Sequence, residues 1–475
     1  MRKNPILIYK PSQFVLEKNG GSMKKFVLVL LMLLLAFALF ASGQQAEESE
    51  KSVIEEFDWR MFEGTNLVAC FPNHGHYNAA IDAGVIEDFE ALTGINVEID
   101  LLQYIKMHDK QVLEMTKPAG DYDVISMVVM WKSEYAMANM IQPLEPFFEK
   151  EYLQVPDYDF DDLIPAYVEV TGIAGGENIY RNGPGANLYG LPFGSETSFL
   201  VYRKDLFDKY NIKVPETYDE LVEVSRFFKE EVPGMSGLTM RGASGHHATH
   251  GWLLHASPFG ARVFDENWEP AFTSPEAIET IEFMKKIVEY GPDGITGYTQ
   301  DEEWQAFLQG DAAMYLDASV FAGTARNPEK SKVYDKLGFA PHPKAKTSLS
   351  ETGGFGIAIP SNSKNPEAAF LFMQYLTMKE TERKIIANGG APFRTSSVND
   401  PELQAKYPDF IALKNQLVNA NPDWRPIIPE WGEINGPYLG VAINQALTGE
   451  KTALQAMQDI VAPVRAIMIR AGYIK

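Results

Sequence analysis

Apolar positions along this chain alternate between the period of a strand and the period of a helix. Asn66–Phe71 reads as a strand. Tyr77–Thr93 sets Ile81, Val85, Phe89 and Leu92 on one helical face and stops at Gly94. Val97, Ile99 and Leu101 alternate as a second strand, and Lys106–Thr116 predicts a helix. Asp123–Val129 is apolar throughout its interior, the form of a parallel strand covered on both faces. This β-α-β-α-β opening predicts a doubly wound α/β unit.

Tyr189–Leu206 (YGLPFGSETSFLVYRKDL) is apolar and β-branched at its centre and lies between two long halves of that kind. It predicts the place where the chain crosses from one lobe to another, and a cleft between lobes is the usual home of a small-molecule site. Beyond it, Thr217-Tyr218-Asp219-Glu220 forms a capping box ahead of Leu221, Val224 and Phe228. Ser274-Pro275 opens a helix with Ile281, Met284 and Val288 inward, stopped by Gly291-Pro292. Gly353–Pro360 predicts a second crossing, and Asn365-Pro366 caps a helix bearing Ala369, Phe372 and Leu376. Gly389–Arg394 is a candidate third crossing, and the last quarter reads as helical.

The 475 residues, 45% hydrophobic and 22% charged, suit a soluble protein of two or three domain-sized units. From Met23 the chain reads as a secretion signal. Lys24 and Lys25 are its basic start, Phe26–Phe40 its apolar run and Ala41-Ser42-Gly43 its cleavage site. The run is short for a membrane span, although an uncleaved anchor stays open. Residues 1–22 do not fit ahead of a signal, so Met23 is the expected start, and residues 44–58 read as a polar tether. No Cys stands at the cleavage site to carry a lipid anchor. The first 43 residues hold six basic and one acidic residue, so the remainder carries a formal charge of −27. That disfavours nucleic acid and anionic membranes as partners. The single Cys70 excludes an intramolecular disulfide and reads as a small buried residue.

Six segments then occur in an order that resembles the family 1 extracellular solute-binding proteins, the sugar-capturing subunits of ABC importers. They are Tyr189–Leu221, Phe272–Val288, Phe307–Asp317 (FLQGDAAMYLD), Gly353–Thr377, Arg425–Trp431 (RPIIPEW) and Ala446–Met457. The resemblance implies an α/β two-lobed periplasmic-binding-protein fold of type II, with doubly wound lobes joined by hinge crossings. Lobe one would be residues 53–198 plus 361–389, and lobe two 199–352 plus 391–475. It also implies a monomer without cofactor, metal or catalytic residues, handing a sugar or polyol to the permease subunits of an importer.

A site for such a guest needs aromatic platforms for C–H faces and convergent polar groups for hydroxyls. Asn73, His74 and His76 follow the first strand and Trp131 the third, and ligands bind at the carboxyl ends of strands in open α/β sheets. Glu196 and Thr197 lie in the first crossing, as ligand contacts or as hinge hydrogen bonds. Arg241–His255 is rich in histidine. His246 and His250 have metal-like i, i+4 spacing but lack the Glu of HExxH, so Trp252 and His255 are taken as ligand contacts. The resemblance adds Asp317, the Gly353-Gly354-Phe355 element, Trp424, Arg425 and Trp431. Arg394 joins them, with an interlobe ion pair as its other reading. Phe stands at 355 and Val at 320 where the family often has Trp, which points to a small ligand. Two other classes stay open: a secreted glycosidase, needing two carboxylates about 5 to 9.5 Å apart, and a metal-capturing protein built on the eight histidines.

Overall fold

The computed structural model describes residues 57–177 and 183–475. The expected leader and nearly all of the tether lie outside the described residues. One sheet runs through the molecule. Its strands are β1 (Asn66–Pro72), β2 (Asn96–Leu102), β3 (Val124–Val128), β4 (Leu191–Arg203), β5 (Ser236–Thr239), β6 (Ala312–Ala318), β7 (Leu337–Ala340), β8 (Ser350–Ala358) and β9 (Ala420–Asn421). Neighbours run β2-β1-β3-β8-β4-β6-β5, with β9 beside β8 and β7 beside β4. β1 is parallel to β2 and β3, and β5 is parallel to β6. The joins of β3 to β8, β8 to β4 and β4 to β6 are antiparallel.

β4 and β8 tie the two halves together. The first part of β4, from Leu191 to Thr197, pairs with β8, and Ser198–Arg203 pairs with β6 and β7. Its 13 residues extend about 40 Å at the rise of a strand, enough to enter both halves. Where the two strands meet, Gly194 and Gly354 adopt φ of 81° and 84°, and the register slips between Gly354 and Gly356. A Cβ on Gly354 would collide with the Gly194 carbonyl oxygen, so the bulge requires glycine.

Each half has its own core. Tyr77, Phe89, Phe193 and Phe372 anchor the first; Phe228, Trp252, Ile281 and Trp431 anchor the second. Several stretches expected in lobe two pack into the first core instead: Phe199 and Val201; Phe307, Tyr315, Phe321 and Val333; and Phe393, Val398 and Leu413. The Tyr315 and Phe321 rings meet at 4.2 Å, tilted by 34°, on the side of β6 turned toward the first core.

Local chemistry explains most element ends. β3 is buried at all five positions, as its apolar run predicts. The edge strand β2 keeps Glu98 exposed and Asp100 partly so, which guards an open edge. The single helix expected over Tyr77–Thr93 is two, α1 (Gly75–Asp82) and α2 (Val85–Thr93), because Gly84 turns left-handed at φ 70°. α3 spans Tyr104–Met115. The Thr217 capping box forms ahead of α4 (Tyr218–Glu231), and Ser274 Oγ accepts from the Ala277 N–H to open α6 (Pro275–Tyr290). Between them lies α5 (His246–Phe259), and α7 (Gln300–Gln309) follows.

The candidate third crossing is not a strand. Residues 389–394 pack on the first half, where the Glu382 carboxylate accepts the backbone N–H groups of Phe393 and Arg394. The third segment in the hinge is β9, parallel to β8 at Ser350 and Glu351. Cys70 is fully buried in β1, with Gln111 Nε2 at 3.6 Å from its sulfur, and burial pushes its thiol up to about 12.

Candidate functional site

A cavity of about 540 Å³ opens where the hinge strands separate the two halves. Carboxyl ends of strands supply much of its wall, as the switch-point rule requires. Asn73 and His74 follow β1, Tyr104 follows β2, Val129 follows β3 and Arg241 follows β5. Glu196, Gly354 and Phe355 enter from the crossing strands. The first turn of α5 brings His246, His247 and His250; the start of α7 brings Thr299, Gln300 and Trp304; Trp424 and Arg425 close the far side.

Four rings, those of Tyr104, Trp304, Phe355 and Trp424, give the cavity apolar faces. Tyr104 lies edge-on to Phe355 at 5.9 Å and reaches His246 of the opposite half at 6.3 Å. Trp131 lies behind Tyr104, nearly parallel at 5.9 Å, and supports it without lining the cavity. Phe355 also meets His74 at 4.9 Å. The Trp424 indole donates its N–H to the Thr352 carbonyl at 2.6 Å, which fixes the ring that carries the Arg425 guanidinium at 4.4 Å.

Between the rings stand polar atoms with no partner among the described residues: His74 Nδ1, Glu196 Oε2, His247 Nδ1, Trp304 Nε1 and Arg425 Nε. Burial and the nearby guanidiniums lower His74, His247 and His250 to about 4 and push His246 well below its ordinary value. At neutral pH these imidazoles are uncharged, each one donor and one acceptor. Burial raises Glu196 to about 8, against the pull of Arg241 and Arg425. At pH 7 it is a neutral acid that both donates and accepts.

Beneath the floor runs a buried relay. Arg241 donates from Nη2 to Asp317 Oδ1 at 2.8 Å and from Nε to Glu303 at 3.3 Å. Arg425 Nη2 lies 3.3 Å from His250 Nδ1, and His250 Nε2 lies 3.1 Å from Asp317 Oδ1. Because Arg425 can only donate, His250 Nδ1 accepts and its Nε2–H donates to Asp317. His250, Asp317 and Glu351 hold ligand-type atoms within 4.8 Å of one another, the arrangement of a metal site. In the hydrogen-bonded arrangement the His250 Nε2–H is donated to Asp317, while Glu351 Oε2 lies 3.5 Å from the same nitrogen.

The other residues expected at the site lie elsewhere. Trp252 is fully buried in the second core and donates its indole N–H to the Ala277 carbonyl. His255 is buried with it, bonded to the Tyr218 hydroxyl at 2.9 Å. Both stand on α5, turned away from the face that carries His246 and His250. Trp431 belongs to the same core. Arg394 has no exposed surface and donates to the carbonyls of Thr377, Asp159 and Tyr158 and to Asp162, all in the first half, so it is neither a ligand contact nor an interlobe pair. His76 is packed between Phe193 and Phe393 and accepts from the Ala391 N–H. Thr197 bonds to Ser350 and the Glu351 carbonyl inside the hinge. Asp317 lies one layer below the cavity, and Gly353 faces Trp424.

Sequence reasoning missed Tyr104, Arg241 and Trp304. The first two sit just past strand ends, as Asn73 does, so the switch-point rule could have found them. Trp304, inside an amphipathic helix, carries no such signal.

A family model, the bacterial extracellular solute-binding protein, matches residues 73–382. The chain belongs to that family. Among relatives, a mannitol-binding protein of Pseudomonas aeruginosa is 28% identical over 78% of this chain and 85% of its own. A probable amino-acid ABC transporter periplasmic-binding protein of Sinorhizobium fredii is 28% identical over 83% and 87%. The solute-binding protein of Agrobacterium radiobacter K84, solved with ribitol, superposes with a TM-score of 0.76 at 26% identity, covering 85% of this chain and 99% of that one. That of Agrobacterium vitis S4, solved with D-mannitol, gives 0.74 at 27%, covering 86% and 100%. The two-lobed α/β fold expected from the sequence is the fold of these structures. Members of the family are extracellular or periplasmic, and no described helix is long and apolar enough to cross a membrane.

Proposed function

We propose that this protein is an extracytoplasmic receptor that captures a small sugar or polyol between its lobes and presents it to the permease of an ABC importer. The observation that carries this reading is the set of partnerless polar atoms interleaved with rings in one interlobe cavity. Buried polar groups without partners cost about 1–3 kcal/mol each, and a guest with many hydroxyls satisfies them together while its C–H faces lie on the rings. A relative named for mannitol and structures solved with ribitol and mannitol support the same class. The cavity's modest volume favours an acyclic polyol or a monosaccharide over a longer saccharide. In this reading the protein binds without chemistry and works alone rather than as an oligomer. Export through the signal at residues 23–43, with Met23 as the start, belongs to it as well.

A thermal-shift and calorimetric screen over polyols and monosaccharides tests it. A ligand bound only by the native state raises the melting temperature by mass action, and X-ray scattering should show a more compact particle with that ligand. Turnover of chromogenic glycosides, or an unchanged scattering profile across the panel, would refute it.

A further inference from the structure

Among the buried arginines Arg241, Arg394 and Arg425, one stands apart. Arg241 is paired with Asp317 and Glu303, and Arg394 spends its guanidinium on three carbonyls and Asp162. Arg425 is 6% exposed and lines the cavity, yet no carboxylate among the described residues lies within ion-pair distance of it. Among the described residues its side chain makes one hydrogen bond, to His250 Nδ1, and its Nε has no partner. A buried cation without a counter-ion is costly, by several kcal/mol in general, unless a guest supplies the charge.

The surrounding acids do not supply it. Burial raises Glu196 to about 8 and holds Glu303 and Glu351 well above their ordinary range. Asp317 is held below its ordinary value, Arg241 and His250 outweighing the opposite effect of burial, and is spent on Arg241. The Arg425 guanidinium, which faces the cavity, is therefore left without a carboxylate partner among the described residues. A protonated Glu196, its Oε2 free, stands in the same wall as a hydrogen-bond donor.

Building on the sugar and polyol reading above, we propose that the guest is a polyhydroxy carboxylate, a sugar acid of the aldonate or uronate type, whose carboxylate seats on the Arg425 fork. A guanidinium is shaped for paired bonds to a carboxylate, and a charge-assisted pair is roughly twice as strong as a neutral one. The hydroxyl chain then lies along Phe355, Tyr104 and Trp304, among the imidazoles of His74 and His247.

The test compares matched pairs by calorimetry on the purified full-length protein: D-gluconate with D-glucitol and D-ribonate with ribitol, with D-glucuronate and L-glutamate as further arms. The expected result is an acid bound at least about tenfold more tightly than its neutral partner, the scale of one charge-assisted bond. Arg425→Gln should cut acid affinity by about 100-fold while the neutral partner changes by less than about tenfold. A neutral polyol that binds as well as or better than its acid overturns the proposal and leaves the receptor reading standing. Binding of L-glutamate with no polyhydroxy compound bound overturns both.

A pH arm keeps the test independent of how Arg425→Gln folds. Glu196 faces Arg241, Asp317, Arg425 and, more distantly, Tyr104, Tyr167, Tyr315 and Glu351. As pH rises from 7 to 9 it ionises beside the guest, so acid affinity should fall while neutral-polyol affinity holds. Glu196→Gln, which cannot ionise, should flatten that profile whatever its affinity at pH 7. Acid affinity that is constant from pH 7 to 9 in the unmodified protein overturns the proposal.

Discussion

Arg394 separates a structural role from a binding role cleanly. Its Nε donates to the Thr377 carbonyl at 2.8 Å, Nη2 to the Tyr158 carbonyl at 2.8 Å, and Nη1 to the Asp159 carbonyl at 2.9 Å and to Asp162 at 3.3 Å. The guanidinium also lies 5.2 Å from the Tyr158 ring. Arg394→Ala strands three carbonyls and a carboxylate around a void. Each unsatisfied group costs about 1–3 kcal/mol, and breaking a buried charged pair about 3–5 kcal/mol. These overlap, since the groups share one partner. A net loss of about 3–5 kcal/mol follows, and at about 2–4 °C per kcal/mol for a lobe of this size the first transition should drop by roughly 6–20 °C. Differential scanning calorimetry reads that drop, and titration of the folded variant at low temperature reads affinity. Affinity should be unchanged, because Arg394 contacts nothing in the cavity. An unaltered melt with ligand binding lost would refute the assignment.

Four further outcomes follow from the geometry. Trp431→Ala should lower stability by about 3–5 kcal/mol, as large-to-small core changes do, with little change in ligand affinity; Trp424→Ala should do the reverse, and paired thermal-shift curves with and without ligand tell the two apart. Gly354→Ala forces a Cβ against Gly194 at a left-handed φ, so it should cost about 1–3 kcal/mol by chemical denaturation and alter closure seen by scattering. His255 is lowered from 6.5 to about 3 by burial, so the unfolded chain takes up its proton first and stability falls as pH drops from 6.5 toward 3. The stability gap between wild type and His255→Gln should therefore shrink as pH falls from 7 to 4; a constant gap in urea titrations would contradict this. Thr217→Ala removes a capping box at an exposed helix start and should cost about 1 kcal/mol with binding intact.

Much of this fold was legible because its signals are local. Thr217 with Glu220, Ser274 with Pro275, and the apolar run at Asp123–Val129 declare their elements within a few residues. The crossing at Tyr189–Leu206 stood out because apolar runs, Leu191–Phe193 and Phe199–Tyr202, flank its buried polar middle. Gly84 was passed over, since a helical face continues across it while the backbone does not. The site was less legible for a physical reason. Along α5, His246, His250, Trp252 and His255 are equally suggestive as types, and only the helix's rotation against the core decides which of them meet the cavity. Arg394 and Arg425 are likewise the same residue type in similar surroundings; what divides them is how many acceptors the fold leaves within reach.

Cys70 has a practical consequence. The chain's lone thiol sits inside the first β-strand with its proton held tightly, so maleimide dyes will pass it by at neutral pH. Two cysteines engineered on opposite rims could then carry a fluorophore pair with no background labelling, turning the receptor into an optical reporter for whatever solute it captures.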